Sequence, residues 1–282
     1  MDNVNRTLYI PLYGKAQVSR RGILLEDAKA EEIWAAEGFS LKGKSRSRWL
    51  AYYMAMRARV FDDWVKEKME TDPGAVILHL GCGLDSRVLR VGTRGHRWFD
   101  VDFPGVITER KRFYEETEEY RMIASDIRET GWLDAVPAGS AIVILEGVSM
   151  YLAREELLAV LKNIRGHFSE VSLLMDCYTE FAAKASRYKN PINDVGATKV
   201  YGLDDPKLPE SSGLAFVKEH SMTPDSFVEE LQGMEKAIFR RLYGGKIARK
   251  MYRLYEYERV CCKIQKSFDR IRRGDYQSPT GG

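Results

Sequence analysis

The sequence predicts an α/β chain: a doubly wound, mostly parallel sheet, with a helical block ahead of it and a cap inserted late. Three observations carry that expectation. Short apolar runs alternate with helical patterns from residue 76 onward, as parallel strands joined by crossover helices require. A glycine turn, Gly81-Cys82-Gly83, follows the first of these runs directly. Several runs also end in acids, at Asp102, Asp126 and Glu146, on the edge where ligands collect in such sheets.

Residues 1–73 read as the helical block. Asn3 to Arg20 is short and aromatic, with Pro11 as a kink or boundary, and is a candidate to lie over a site. Leu25 to Phe39 reads as a helix ended by Gly38. Ser45 to Met69 is the strongest helix, because Trp49, Tyr53, Met56, Val60 and Trp64 recur at spacings of three and four; Asp72-Pro73-Gly74 stops it. Arg57 and Arg59 lie on this helix. Solvated surface arginines are their ordinary reading, and an inward turn toward a carboxylate is the alternative.

The core, residues 74–176, opens with Val76, Ile77, Leu78 and Leu80 as the first strand. Gly81 and Gly83 permit a ligand to approach main-chain amides, and a helix is expected from Leu84 or Asp85 with its free N–H groups facing that ligand. Ser86 stands where a dinucleotide fingerprint has its third glycine, and Asp85 puts negative charge where a pyrophosphate would sit. Both weaken a nicotinamide reading, and an ordinary strand-to-helix turn is the plain alternative. Trp98 to Asp102 is the second strand, with Asp100 and Asp102 competing to hold ribose hydroxyls. An alternating-charge helix is expected from Phe103-Pro104-Gly105 through Glu118, followed by a third strand, Tyr120 to Ala124. Asp126 then faces an adenine edge or caps a short helix containing Glu129 and Trp132. The fourth strand, Ala141 to Leu145, ends at Glu146, which suits an ammonium or a ribose. A helix from Ala153 buries Leu157, Leu161 and Ile164, and Val171 to Asp176 is the fifth strand.

Residues 177–213 break the rhythm with Tyr178, Phe181, Arg187, Tyr188, Tyr201, Pro206 and Pro209, and read as a substrate cap or a surface excursion. Residues 214–272 return to the core. They hold a strand at Leu214 to His220, Thr223 as an N-cap before Pro224, a basic helical stretch from Ala237 to Tyr255 interrupted at Gly244-Gly245, and a final strand from Tyr257 to Ile264. Residues 273–282 read as a frayed tail. The 282 residues are expected to form a single domain.

Lys and Arg number 44 against 41 acids, a net charge of +3 that demands neither a nucleic-acid nor an anionic-membrane partner. The basic run Arg240, Arg241, Lys246, Arg249, Lys250 and Arg253 reads as a solvated helix face, with an RNA surface as the alternative. The four cysteines and four histidines lack metal-ligand spacing or a disulfide framework, so no metal is expected. Without a signal pattern or a membrane-length apolar run, a soluble cytoplasmic chain with a small-molecule substrate is the expectation.

The segments MRARVFDDWV, LGCGLDSR, WFDVDFPGVITERK, ASDIRE and ILEGVSMYL occur in that order, and with them the chain resembles the family that joins leucine carboxyl methyltransferases to tetracenomycin-type polyketide O-methyltransferases. The resemblance spans most of the chain. It implies a Rossmann-like class I methyltransferase sheet, S-adenosylmethionine as cofactor, and an oxygen acceptor, commonly a carboxylate. By motif position it implies that Arg57 binds the methionine carboxylate, Gly81 and Gly83 form the turn at that end, Asp102 holds the ribose in preference to Asp100, Asp126 and Ile127 flank the adenine, and Glu146 follows the fourth strand. Tyr151 matches a tyrosine near the pocket. An ionised carboxylate acceptor needs no general base, whereas a hydroxyl acceptor would call on a group such as His220, Tyr178 or Tyr151. A nicotinamide-dependent reductase and a non-catalytic cofactor-binding regulator are the competing readings.

Overall fold

A computed structural model of the chain describes residues 3–37, 46–186 and 199–259. Among the described residues seven strands form one sheet: β1 (Val76–Leu80), β2 (Trp98–Asp102), β3 (Tyr120–Ala124), β4 (Ser140–Leu145), β5 (Glu170–Tyr178), β6 (Ala215–His220) and β7 (Tyr252–Arg259). Their spatial order is 3-2-1-4-5-7-6. The first five pair in parallel, and β7 inserts antiparallel between β5 and β6. Alternation decides which face each side chain serves. Ile77, Ile142, Ile144 and Leu174 join the core on one face, while Leu78, Leu80, Val143, Leu145 and Leu173 join the core on the other.

The helical block is α1 (Asn3–Ser19), α2 (Ala28–Glu37) and α3 (Arg48–Thr71). Pro11 does not end α1, which runs through it. One lost amide bond is offset by packing on α3, where Gly14 sits so close that a Cβ there would meet the Ala51 Cα at 3.2 Å. α3 is buried well beyond the expected stripe, since Ala51, Ala55, Ala58 and Phe61 are enclosed along with Met56, Val60 and Trp64. Gly38 and Phe39, at the expected end of the second helix, lie outside the described residues.

After β1 come α4 (Arg87–Val91) and, beyond β2, α5 (Pro104–Arg110). α4 starts later than expected, because Gly81 and Gly83 both take positive φ and Asp85 turns back onto Cys82 and accepts the Arg87 amide at 2.7 Å. α5 stops at Arg110 rather than Glu118: residues 115–118 are all exposed and offer no apolar face to bury. α6 (Arg154–His167) crosses to β5, which extends through Tyr178, so the excursion opens at Thr179 with α7 (Glu180–Ser186). Arg187 and Tyr188 lie outside the described residues.

The C-terminal part departs most from expectation. Thr223 does not cap a helix; it is buried and accepts the Gly245 amide, and Pro224 precedes α8 (Asp225–Glu229). The basic stretch divides into α9 (Gly233–Leu242) and α10 (Gly245–Met251), and β7 begins at Tyr252, inside the expected helix. Pairing with β5 from Tyr178 opposite Tyr252 to Val171 opposite Arg259 buries Leu254, Tyr255 and Tyr257, and that tertiary gain overrides local helix propensity. Residues 260–264 of the expected strand and the tail lie outside the described residues. No described helix is long and apolar enough to cross a membrane.

Candidate active site

Strand order reverses between β2-β1 and β4, and a crevice opens beyond the carboxyl ends of strands at such a point. A cavity of about 420 Å³ lies there. One part of its wall is polar, formed by Arg57, Gly81, Gly83, Asp85, Asp102, Asp126 and Glu146; the rest is largely apolar, with Leu8, Leu12, Leu50, Met54, Met150, Tyr178 and Tyr252.

The glycine turn forms the inner edge. Gly81, at φ 68°, donates its amide to the Val101 carbonyl at 2.7 Å, and a Cβ on it would meet the Val148 Cγ2 at 2.3 Å. Asp102, at the end of β2, fastens the turn: its Oδ2 accepts the Gly83 amide and its Oδ1 the Phe103 amide, both at 2.8 Å. Burial raises its carboxyl above the usual 3.8, against the opposing pull of those two amides. A carboxylate has about four acceptor positions, so two remain for a pair of adjacent hydroxyls.

Asp100 does not belong to this site, contrary to its candidacy as a cofactor ligand. It is absent from the cavity lining and wholly buried between Arg110, 2.5 Å away, the Tyr120 hydroxyl at 2.6 Å and the Trp98 indole at 2.8 Å. Two residues farther along the same face, Asp102 clears the strand end and Asp100 does not.

Asp126 and Ile127 follow β3 and line the cavity. The Asp126 carboxylate accepts the Arg128 guanidinium, which holds it below the ordinary range, rather than the first turn of a helix. Glu146 is enclosed rather than standing at an exposed strand end. It accepts Arg57 Nε at 2.9 Å and the Arg87 guanidinium; burial pushes its carboxyl up, but Arg87 and Arg57 outweigh that and bring it to about 2. Arg57 also donates to Asp176 at 2.8 Å, and Asp176 accepts the Gly147 amide at 2.6 Å. The surface reading of Arg57 therefore fails, whereas Arg59 reaches the Leu24 carbonyl and Glu230 at the periphery.

These ion pairs continue without a gap. Arg87 and Arg90 share Asp62, at 2.6 and 2.7 Å; Arg90 reaches Asp27 at 2.7 Å and Asp85 at 3.2 Å; Asp85 binds Lys15 of α1. Burial opposes ionisation of Asp85, yet Arg90 and Lys15 hold it well below the usual carboxylate range. Of the charged residues that line the cavity, Lys15, Arg57 and Arg128 face Asp85, Asp102, Asp126 and Glu146, one carboxylate in excess, so the polar side carries negative charge.

Of the candidate bases, Tyr178 and the half-exposed Tyr151 line the cavity. His220 does not; it lies on β6 with Nε2 2.6 Å from Glu256. Tyr178 packs edge-on against Tyr252, 4.6 Å between ring centroids, and burial drives the Tyr252 phenol well above its ordinary value. Sequence reasoning missed Lys15, Arg87, Asp176 and Tyr252. Asp176 had a signal as another acid near the end of an apolar strand, and Arg87 as the last residue of LGCGLDSR. In the basic stretch, Arg240 pairs with Glu229, and Arg249 and Arg253 pair with Glu219.

Residues 10–165 match the family model described as leucine carboxyl methyltransferase. The chain is 31% identical over 243 residues to the tetracenomycin polyketide synthesis O-methyltransferase TcmP of Streptomyces glaucescens, covering 84% of this chain and 90% of that protein. It is also 31% identical over 231 residues to the S-adenosyl-L-methionine-dependent methyltransferase dpfgK of Gibberella zeae, covering 73% and 78%. Its fold matches a crystal structure of a putative methyltransferase from Thermobifida fusca with a TM-score of 0.55 at 14% identity, over 83% of this chain and 88% of that one. These matches leave no place for the nicotinamide-reductase reading: the chain belongs to the leucine carboxyl methyltransferase family of S-adenosylmethionine-dependent methyltransferases.

Proposed function

We propose that this enzyme binds S-adenosylmethionine along the polar side of the cavity and methylates an oxygen, a carboxylate in preference to a hydroxyl, of a small apolar molecule held against the rest of the wall. A polyketide-like metabolite fits that description. The observation that carries the proposal is the state of Asp102: fixed by two backbone amides, it keeps acceptor capacity for the two adjacent hydroxyls of a ribose.

The remaining residues fit the same ligand. Gly81 and Gly83 leave room at the turn where a side chain would intrude. Ile127 offers an apolar contact and Asp126 an acceptor for the adenine. Arg57, oriented by Glu146 and Asp176, takes the methionine carboxylate with its remaining N–H groups, and the excess carboxylate on this side favours the ligand's positive charges. In this reading Glu146 acts through Arg57, as a positioning residue. Bound S-adenosylmethionine supplies a sulfonium methyl group for in-line displacement. The chain contributes alignment and exclusion of water, through Leu8 and Leu12 of α1, Met54 of α3, and Tyr178.

The carboxylate preference rests on the proton bookkeeping. His220 lies away from the cavity, and His79, the one histidine among the described lining residues, is enclosed between Asp100 and Arg87. An anionic oxygen needs neither.

The test is calorimetry with S-adenosylhomocysteine, followed by transfer of labelled methyl to matched aromatic acids and phenols. Binding with turnover of the acids supports the proposal. Turnover of phenols alone removes the carboxylate preference, and tight binding without transfer to any acceptor favours a regulatory protein.

A further inference from the structure

The last two helices before β7 have an outer surface that the methyltransferase reading does not use. α9 packs inward through Phe239 against Tyr52 of α3, with ring centroids 6.1 Å apart, and Tyr243 beyond its end stacks on Trp49 at 5.4 Å. α10 packs inward at Ala248, whose carbonyl accepts the Tyr53 hydroxyl at 3.4 Å. Both helices thus turn inward onto neighbouring residues of α3, Trp49 and Tyr52 for α9 and Tyr53 for α10.

Each helix also carries exposed apolar side chains. Met234, Ile238 and Leu242 succeed one another at every fourth position of α9 and are 81%, 38% and 52% exposed; Ile247 and Met251, similarly spaced on α10, are 43% and 38% exposed. Three of the cations on these helices are uncompensated. Arg241, Lys246 and Lys250 have no carboxylate partner among the described residues, while their neighbours Lys236 and Arg240 pair with Glu229, and Arg249 with Glu219. Glu235 turns inward to Tyr52. The chain's net charge of +3 averages this local imbalance away.

We propose that α9 and α10 form a docking face for an anionic lipid surface, the apolar stripe entering the headgroup boundary while Arg241, Lys246 and Lys250 meet the lipid charges. Exposed aliphatic and thioether side chains flanked by unpaired cations are the composition of an interfacial helix. A second copy of the chain fits less well, since a two-fold contact through this patch would set the same three cations against one another. The position also suits an apolar acceptor. α3, which carries both helices, lines the cavity with Leu50, Met54 and Arg57, and Tyr252, the residue after α10, lines it too. The docking itself does not rest on the proposed reaction.

Sedimentation of the full chain with phosphatidylcholine vesicles, with and without about one-third phosphatidylserine, tests this. Three cations at roughly fivefold each predict about a hundredfold stronger partition onto the anionic vesicles, lost in high salt. Met234→Asp with Leu242→Asp should abolish binding to both vesicle types, and Lys246→Gln with Lys250→Gln should remove about 25-fold of the phosphatidylserine preference alone. Unchanged circular dichroism would show that these surface variants fold. The proposal is overturned by a wild type that ignores anionic vesicles, by stripe variants that bind as wild type, by a wild-type dimer that the stripe variants dissociate, or by polyglutamate beads that capture wild type and stripe variants alike.

Discussion

Replacing Asp102 by Asn separates cofactor recognition from the integrity of the glycine turn. The carboxylate spends one acceptor position on Gly83 and one on Phe103. An Asn can serve only one of these amides with its carbonyl, and its NH2 group faces the other. One ribose hydroxyl then loses a charge-assisted bond of about 1.5–3 kcal/mol, a rise in Kd of roughly 10- to 150-fold. The unserved amide costs stability on the order of 1–3 kcal/mol, so Tm should fall as well. Calorimetry with S-adenosylhomocysteine on the folded variant reads the first effect, and a melt without ligand reads the second. A pH series adds a signed check. Burial raises the Asp102 carboxyl above 3.8, and the ionised form is the one that accepts hydroxyls, so wild-type affinity should fall on acidification, beginning above the ordinary carboxylate range and by at most about tenfold per pH unit. The Asn variant should lack this component. A folded Asn variant whose Kd stays within about twofold of wild type would refute the ribose assignment.

Three further outcomes follow from the buried polar groups and the turn. Arg110→Met leaves Asp100 buried without its cation and should cost about 3–5 kcal/mol in urea denaturation, with partial recovery when Asp100→Asn is added; a loss under about 1 kcal/mol would contradict the structural role given to Asp100. Gly81→Ala should destabilise by about 1–3 kcal/mol for the backbone alone, because φ is 68°, and further for the Val148 contact, so Val148→Ala should return only part of the Tm. Glu146 and Glu256 are both brought from 4.5 to about 2, so their contribution is complete above 4.5 and lost as pH falls toward 2. A Tm that stays flat across that window would show that neither ion pair stabilises the fold.

The strands from β1 to β5 were legible to within a residue or two, because their apolar runs and the turns between them are local signals. The acids of the cavity wall were legible for the same reason: Asp102, Asp126 and Glu146 close or follow apolar strands, and all three line the cavity. Which of Asp100 and Asp102 reaches the cavity was not available from spacing, since the two share a face; Arg110 pairs with the inner one, and Asp102 lines the cavity. β7 was half lost, because Tyr252 to Tyr255 continue the basic, aromatic pattern of the helix before them until β5 offers them a ladder. Lys15 carried no signal, and Arg87 closed the segment LGCGLDSR without a role of its own. Their roles exist only once α1 and α4 are brought together over Asp85 and Glu146.

The ion pairs running from Asp176 to Lys15 join β5, α3, α4 and α1 beneath the cavity. A floor of this kind is set when the chain folds, so little ordering remains to be done when the cofactor arrives. In the proposed binding mode, affinity for the donor and stability of the fold draw on the same bonds. Leu8, Met54 and Tyr178 stand in the wall and carry none of those ion pairs. Substitutions in the wall can therefore reshape the cavity without breaking any ion pair of the floor.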